Sequence, residues 1–332
     1  MGAIAAVAAA GIWAISAALM GSQASRVDAL SISVIRAVWA ALFFVVLVFA
    51  TGNYTEIGEM DAWTIAELIG SAVIGLALGD TLYVVSISLL GMNRAFTISI
   101  GLFAVFSFGL SAAVLGESIG VATIIGAGLV LAGVGLVASY GRDTTAAVEV
   151  EEPSVEATRE PGAPPPIAGG SGEVKLAART TVRLPWVGVV PKFTLGVVVV
   201  ALAAVFWAIA TVTLRDAAEG FGAISVGALR IPAAAGFLSA VALTQSRTSL
   251  RRRSVSRRSW GVLTVAGVVG TGVGSLLFIY AVQEVGAGKT AVLSSVSPLF
   301  ALPLAAIFLG ERITRWLVLG TGLAVIGIVL LA

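Results

Sequence analysis

Between Ala291 and Gly310 the chain runs AVLSSVSPLFALPLAAIFLG without a charge and then meets Glu311. At about 1.5 Å of rise per residue, such a stretch crosses the ~30 Å hydrocarbon layer of a bilayer as a helix. Two prolines, Pro298 and Pro303, lie inside it, and Ser294, Ser295 and Ser297 crowd one end. Proline frees backbone carbonyls that lipid cannot satisfy, so the segment needs a neighbouring helix or a wet cavity beside it. A second apolar segment with the same Leu-Gly-Glu ending occurs earlier, over Thr97–Glu117. A segment of this kind, present twice, points to a duplicated fold.

The rest of the composition fits a lipid environment. The 332 residues are 58% hydrophobic and 11% charged, where soluble domains carry about a quarter charged residues. Cysteine and histidine are both absent. Disulfides, thiolate chemistry, Cys/His zinc sites and histidine-ligated haem are therefore excluded, and any proton relay must use carboxylates, tyrosine or lysine. Gly2–Met20 is apolar with no basic region ahead of it, so it reads as a first spanning helix rather than a signal peptide.

Apolar windows bounded by charges or turn residues predict ten spans, at 2–20, 30–50, 68–90, 95–115, 120–140, 193–213, 222–244, 260–282, 289–309 and 313–332. The fold class expected is all-α and integral to the membrane, with ten transmembrane helices. Most loops are short. Residues 141–192 differ, holding seven of the ten prolines, an acidic run from Glu149 to Glu160 and then four basic residues. A stretch of that composition is expected to be a disordered or loosely ordered linker. It divides the chain into 1–140 and 193–332, each with five spans.

The two halves align at an offset of 194. Trp13-Ala14-Ile15 matches Trp207-Ala208-Ile209, Arg36 matches Arg230, and Leu115-Gly116-Glu117 matches Leu309-Gly310-Glu311. Gly126, Gly128 and Gly133 match Gly320, Gly322 and Gly327. Around the third and eighth spans the register slips by one, so that Gly79-Asp80 aligns with Gly274-Ser275 and Gly91 with Gly286. An odd number of spans per repeat gives the halves opposite orientations. Inverted repeats of this kind place a site near the midplane and permit alternating access.

The span-1 tryptophan, the span-2 arginine and the glycine-rich, LGE-terminated fourth span, each present twice, resemble the drug/metabolite transporter superfamily. The chain is similar to its ten-helix members with two EamA-type domains, and the resemblance covers both halves but not the linker. It implies that helices 3, 4, 8 and 9, with parts of 1, 2, 6 and 7, surround the pathway. It also implies peripheral helices 5 and 10, through which relatives that dimerise make contact, so a homodimer is an expected partner.

Orientation is read two ways. The loops after spans 1, 3, 7 and 9 carry Arg26, Arg94, six arginines between Arg247 and Arg258, Arg312 and Arg315. The other side has Arg215 and Lys289 beside an acidic loop with Glu56, Glu59 and Asp61. The positive-inside rule then puts both termini outside, whereas the resemblance implies both inside. The arginine cluster at 251–258 lacks interleaved aromatics, so it reads as an orientation signal and anionic-lipid contact, not a nucleic-acid site.

Several residues need a reason to be in a membrane. Asp80 lies near the middle of span 3, where an ionised carboxylate is expensive unless it faces a cavity, finds a partner or is protonated. Functionally it is a substrate- or proton-binding group; otherwise it serves packing beside Gly79. Trp13 and Trp207 sit mid-span, away from the interfacial belt where tryptophan is usually enriched. With Asp80 they are candidate substrate-binding residues, joined by the hydroxyls of Tyr83, Tyr280, Ser294, Ser295 and Ser297. The plain alternatives are helix packing for the indoles and hydroxyls bonded to carbonyls one turn back. Inversion brings Arg36 toward the side of Glu311 and Arg230 toward Glu117. These are candidate gating pairs, the alternatives being snorkelling arginines and glutamates at helix N-termini.

The function expected is secondary transport of a small organic solute, a metabolite or drug-like compound, in a multi-pass cell-membrane protein with no cofactor, metal or catalytic residues. No phosphate-cradling G-x-x-x-x-G-K-[ST] loop is present, so ATP hydrolysis by the chain itself is not expected. A lipid-linked sugar flippase or a non-transporting scaffold is the alternative. An integral-membrane enzyme, which would want clustered carboxylates or histidine near the interface, finds only the 56–61 loop.

Overall fold

The protein was analysed as a computed structural model, which describes residues 1–115, 121–137 except 123, 127 and 135, 181–184, 188–245, 255–309 and 313–331. In the first half, α1 covers Gly2–Gly21 and α2 Ala29–Thr51. A short surface helix α3 (Tyr54–Glu59) leads into α4 (Ala62–Ala72), which continues through a π-helical segment, Val73–Gly79, into α5 (Asp80–Leu90). Helix α6 covers Met92–Leu115, and a shorter apolar helix runs over Ile124–Val134. The second half repeats the order. α7 (Lys192–Ala217) and α8 (Ala223–Gln245) are followed by α9 (Arg257–Val265), a π-helical segment at Ala266–Val273 and α10 (Gly274–Val285). Then come α11 (Ala287–Ser294), α12 (Pro298–Leu309) and α13 (Arg315–Leu331).

Seven helices among the described residues are long and apolar enough to cross a membrane, counting Ala62–Leu90 and Arg257–Val285 as continuous. The ninth span differs from the unbroken helix expected. It stops at Ser294 and restarts at Pro298, because proline has no N–H to continue the ladder and is favoured in a first helical turn. The matching α6 has Ala104 and Gly109 where the prolines stand, and it runs unbroken.

Residues 141–180 of the expected linker lie outside the described residues. At its end, where loose chain was expected, Thr181–Leu184 and Gly188–Pro191 pair as an antiparallel hairpin, so the fold is not purely helical. Valine and threonine suit an extended backbone, and Pro191 occupies a strand end before α7 begins.

Contacts between the halves follow the repeat. Trp207 lies against Gly79 and Ala210 against Gly75; their counterparts Trp13 and Ser16 lie against Gly274 and Gly270. A Cβ added at Gly79 would come within 2.8 Å of the Trp207 ring, and one at Gly274 within 2.8 Å of Trp13. As α1 advances from residue 13 to 16, its partner recedes from 274 to 270, so each first span packs antiparallel to the other half's third. Gly133 meets the Gly320 carbonyl and Gly327 meets that of Gly126, again antiparallel. The glycine faces of the fifth and tenth spans are thus used within one chain, as small residues permit close helix approach. Their outward faces show Ile124, Ile125, Val318 and Ile326, apolar groups suited to lipid.

One loop contact joins the halves at a membrane surface. Asp28 caps α2, its carboxylate accepting from the Ser31 N–H at 2.9 Å and hydroxyl at 2.7 Å. Ahead of α8, Gly222 stands where the first half has Asp28 and supplies no carboxylate. Glu56 of α3 reaches across instead, accepting from the Gly222 N–H at 2.8 Å and the Ser225 hydroxyl at 2.7 Å. The Ser225 hydroxyl, then the Gly222 N–H, hold the Glu56 carboxyl below its ordinary range. A folded-state pKa that is depressed adds stability above the ordinary value of 4.5, which is lost as pH falls through the lower folded value. Glu56→Gln is expected to lower stability by about 1 kcal/mol at pH 7, a typical cap effect, and by nothing measurable at pH 2. Unfolding of the two proteins in mild detergent at both pH values checks this.

Candidate functional site

The membrane-buried charges converge where the halves meet. Arg36 of α2 and Asp80, at the start of α5, form an ion pair at 3.4 Å. The other half completes it: the Trp207 indole N–H donates to Asp80 Oδ1 at 2.9 Å, and the Arg36 guanidinium donates to the Thr271 hydroxyl at 2.8 Å. Asp80 reaches this position because the π-helical segment ends just before it. Such a segment holds an extra residue per turn, and π-bulges recur at functional sites. Gly75 and Gly79 let α7 approach closely enough for Trp207 to reach the carboxylate.

The pair opens on a cavity of about 120 Å³. Asp80, Tyr83, Trp13 and Trp207, all candidates from the sequence, line it, as do Arg36 and Arg230. Its walls are aromatic. Trp13 packs on Phe278 at 4.9 Å between ring centroids and Trp207 on Tyr83 at 5.3 Å, with Phe103 edge-on to Trp207 at 6.2 Å. Arg230 is 5% exposed, and its Nε donates to Ser71 at 3.0 Å.

Other candidates lie elsewhere. Ser294, Ser295 and Ser297 are buried, and their hydroxyls donate to the carbonyls of Thr290, Ala291 and Ser294. Their protons are taken up by backbone carbonyls beside the break in the ninth span, and none of the three lines the cavity. Tyr280 is 37% exposed and is absent from the cavity wall. Glu117 and Glu311 lie outside the described residues. Among those described, Arg36 meets Asp80 and Thr271, while Arg230 meets Ser71.

Sequence reasoning missed Ser16, Phe96, Phe103, Thr271 and Phe278, all on the cavity wall. Thr271, a hydroxyl between Gly270 and Gly272, and Ser16, an isolated hydroxyl in an apolar span, carried a usable signal. The phenylalanines carried none, since lipid and cavity favour the same side chain.

This arrangement is a polar pair inside an aromatic hollow between the two repeated helical halves of a membrane protein. The chain belongs to the EamA-like transporter family, which it matches over residues 1–139 and 194–332. It is thus a multi-pass membrane protein, of the drug/metabolite transporter type that the duplicated motifs resemble. The chain is also similar, at 28% identity over 141 residues, to a Streptantibioticus cattleyicolor protein named "Probable terminal-alkyne amino-acid exporter". That match takes in 42% of this chain, and the chain spans about half (46%) of the relative's length. A crystal structure 15% identical in sequence superposes with a TM-score of 0.65, over 99% of this chain and 95% of that one, which shows a shared fold.

Proposed function

We propose that the chain is a ten-helix secondary transporter that moves a small organic solute by alternating access between two inverted five-helix halves. The observation that carries this reading is the Arg36–Asp80 pair, tied to both halves and open to an aromatic cavity. A charged pair is costly in a membrane interior and tends to mark a substrate or ion pathway. The relative's name supports export of an amino-acid-like compound. Asp80 is proposed as the group through which protons couple to transport. As the halves rock, Arg36 and Arg230 exchange their present contacts for the Glu311 and Glu117 gates.

Flux from proteoliposomes loaded with labelled amino acids and organic acids tests the reading. Wild-type protein is expected to release a subset faster than empty liposomes, with a rate that responds to an imposed pH gradient. Asp80→Asn, which keeps an acceptor for Trp207 but carries no charge, is expected to abolish that response. An unchanged response in Asp80→Asn removes the proton-coupling role, and absence of flux for every solute removes the transporter reading.

A further inference from the structure

The cavity is built twice, and one copy lacks its acid. In the first copy a carboxylate, Asp80, lies between an arginine of its own half, Arg36, and the indole N–H of the opposite half's first span, Trp207. The repeat places Arg230, Ser275 and Trp13 in the corresponding positions. The local geometry matches, because the indole nitrogen of Trp13 lies 2.8 Å from a Cβ built at Gly274, as that of Trp207 lies 2.9 Å from one built at Gly79. The donors are present and the acceptor is not. Arg230 is 95% buried yet has no carboxylate within 4.0 Å among the described residues, and its Nε donates to the neutral Ser71. The Trp13 N–H meets no acceptor among the described residues. Ser275 is shorter than aspartate and leaves the space open to the cavity.

We propose that this vacancy is a carboxylate seat: the permeant is an organic acid whose carboxylate takes the place of the missing second aspartate, between Arg230 and Trp13 beside Ser275. The inference rests on the transporter reading and deepens it by naming the substrate class. A buried guanidinium without a counter-charge is unfavourable in a membrane interior, and an entering carboxylate relieves it. Arg36 is already neutralised by Asp80, so the cavity carries one excess positive charge and favours a monoanion or a zwitterion over a cation. Trp13 and Phe278 supply the surface for an apolar or aromatic tail.

The test uses the full chain in nanodiscs and two probes of one shape, tritiated 3-phenylpropanoate and unlabelled 3-phenylpropanamide as its competitor. In wild type, the amide is expected to compete at least ten-fold more weakly than unlabelled acid. Ser275→Asp supplies the missing carboxylate from within and is expected to weaken binding of the acid ten-fold or more. Ser275→Asn, equal in size but uncharged, is expected to stay within three-fold of wild type. A smaller acid-to-amide ratio, or acid binding in Ser275→Asp that equals wild type, overturns the seat; so does the absence of saturable acid binding in wild type. If Ser275→Asp does not fold, the acid-to-amide ratio in wild type decides alone. Flux of other solutes in the proteoliposome assay distinguishes failure of the seat from failure of transport.

Discussion

Replacing Asp80 by alanine is expected to lower stability by about 3–5 kcal/mol, because it leaves the Arg36 guanidinium buried without a counter-charge. Arg36 is 6% exposed, and its remaining described side-chain partner is the neutral Thr271. The same change removes the acceptor of the Trp207 N–H and so unties α7 from α5. Removing both charges is a different matter. Arg36→Met with Asp80→Leu is expected to recover most of the lost stability, since a buried ion pair replaced by apolar groups of similar volume is often near neutral. Transport should not recover with it. Unfolding in bicelles for the single and double variants, beside flux for the double variant, separates the pair's structural role from its functional one. If the double variant is no more stable than Asp80→Ala, the loss came from cavity formation and not from the stranded charge.

The second large effect lies in the backbone behind Arg36. A Cβ added at Gly267, in the π-helical segment before α10, would lie 2.6 Å from the Arg36 carbonyl oxygen and 3.0 Å from its Cα. Backbone cannot swing aside as a side-chain tip does. Gly267→Val is therefore expected to push α2 off the eighth span, at a cost of about 3 kcal/mol for overpacking. The displacement also draws the guanidinium from Thr271, the hydroxyl that ties Arg36 to the second half. A Gly267→Ala variant should show a smaller loss in the same direction. The unfolding transition reports the first effect, and a drop in flux at unchanged protein level reports the second. A wild-type transition in Gly267→Val would mean that the two spans separate without cost.

The sequence was most informative where charge and repetition coincided. Asp80 had to be explained because it is a carboxylate among apolar residues, and the explanation it demanded, a partner or a cavity, is what the structure supplies in Arg36 and the central hollow. Trp13 and Trp207 were legible as cavity residues because they stand mid-span and recur at the repeat offset. The serines of the ninth span misled for a definite reason. A hydroxyl near a proline has two uses, facing a solute or donating to a backbone carbonyl one turn back, and composition does not separate them. Here Ser294 and Ser295 donate back to carbonyls of the preceding turn, and Ser297 to that of Ser294. Phe103 and Phe278 were missed because an apolar residue in an apolar span looks the same whether lipid, helix or cavity lies beyond it.

By itself, the sequence determined that the chain enters a membrane, that it consists of one helical unit written twice, and which few polar groups must find company there. Those conclusions rest on local quantities: the run length of apolar residues, the spacing of the repeats and the cost of an unpaired charge in hydrocarbon. Only the tertiary structure decided the pairing. Arg36 has Asp80, Arg230 has no acid among the described residues, and the break in the ninth span consumes its own hydroxyls. Each depends on how far a turn of π-helix rotates a side chain and how closely glycine lets two helices approach, distances set by packing between segments remote in the chain.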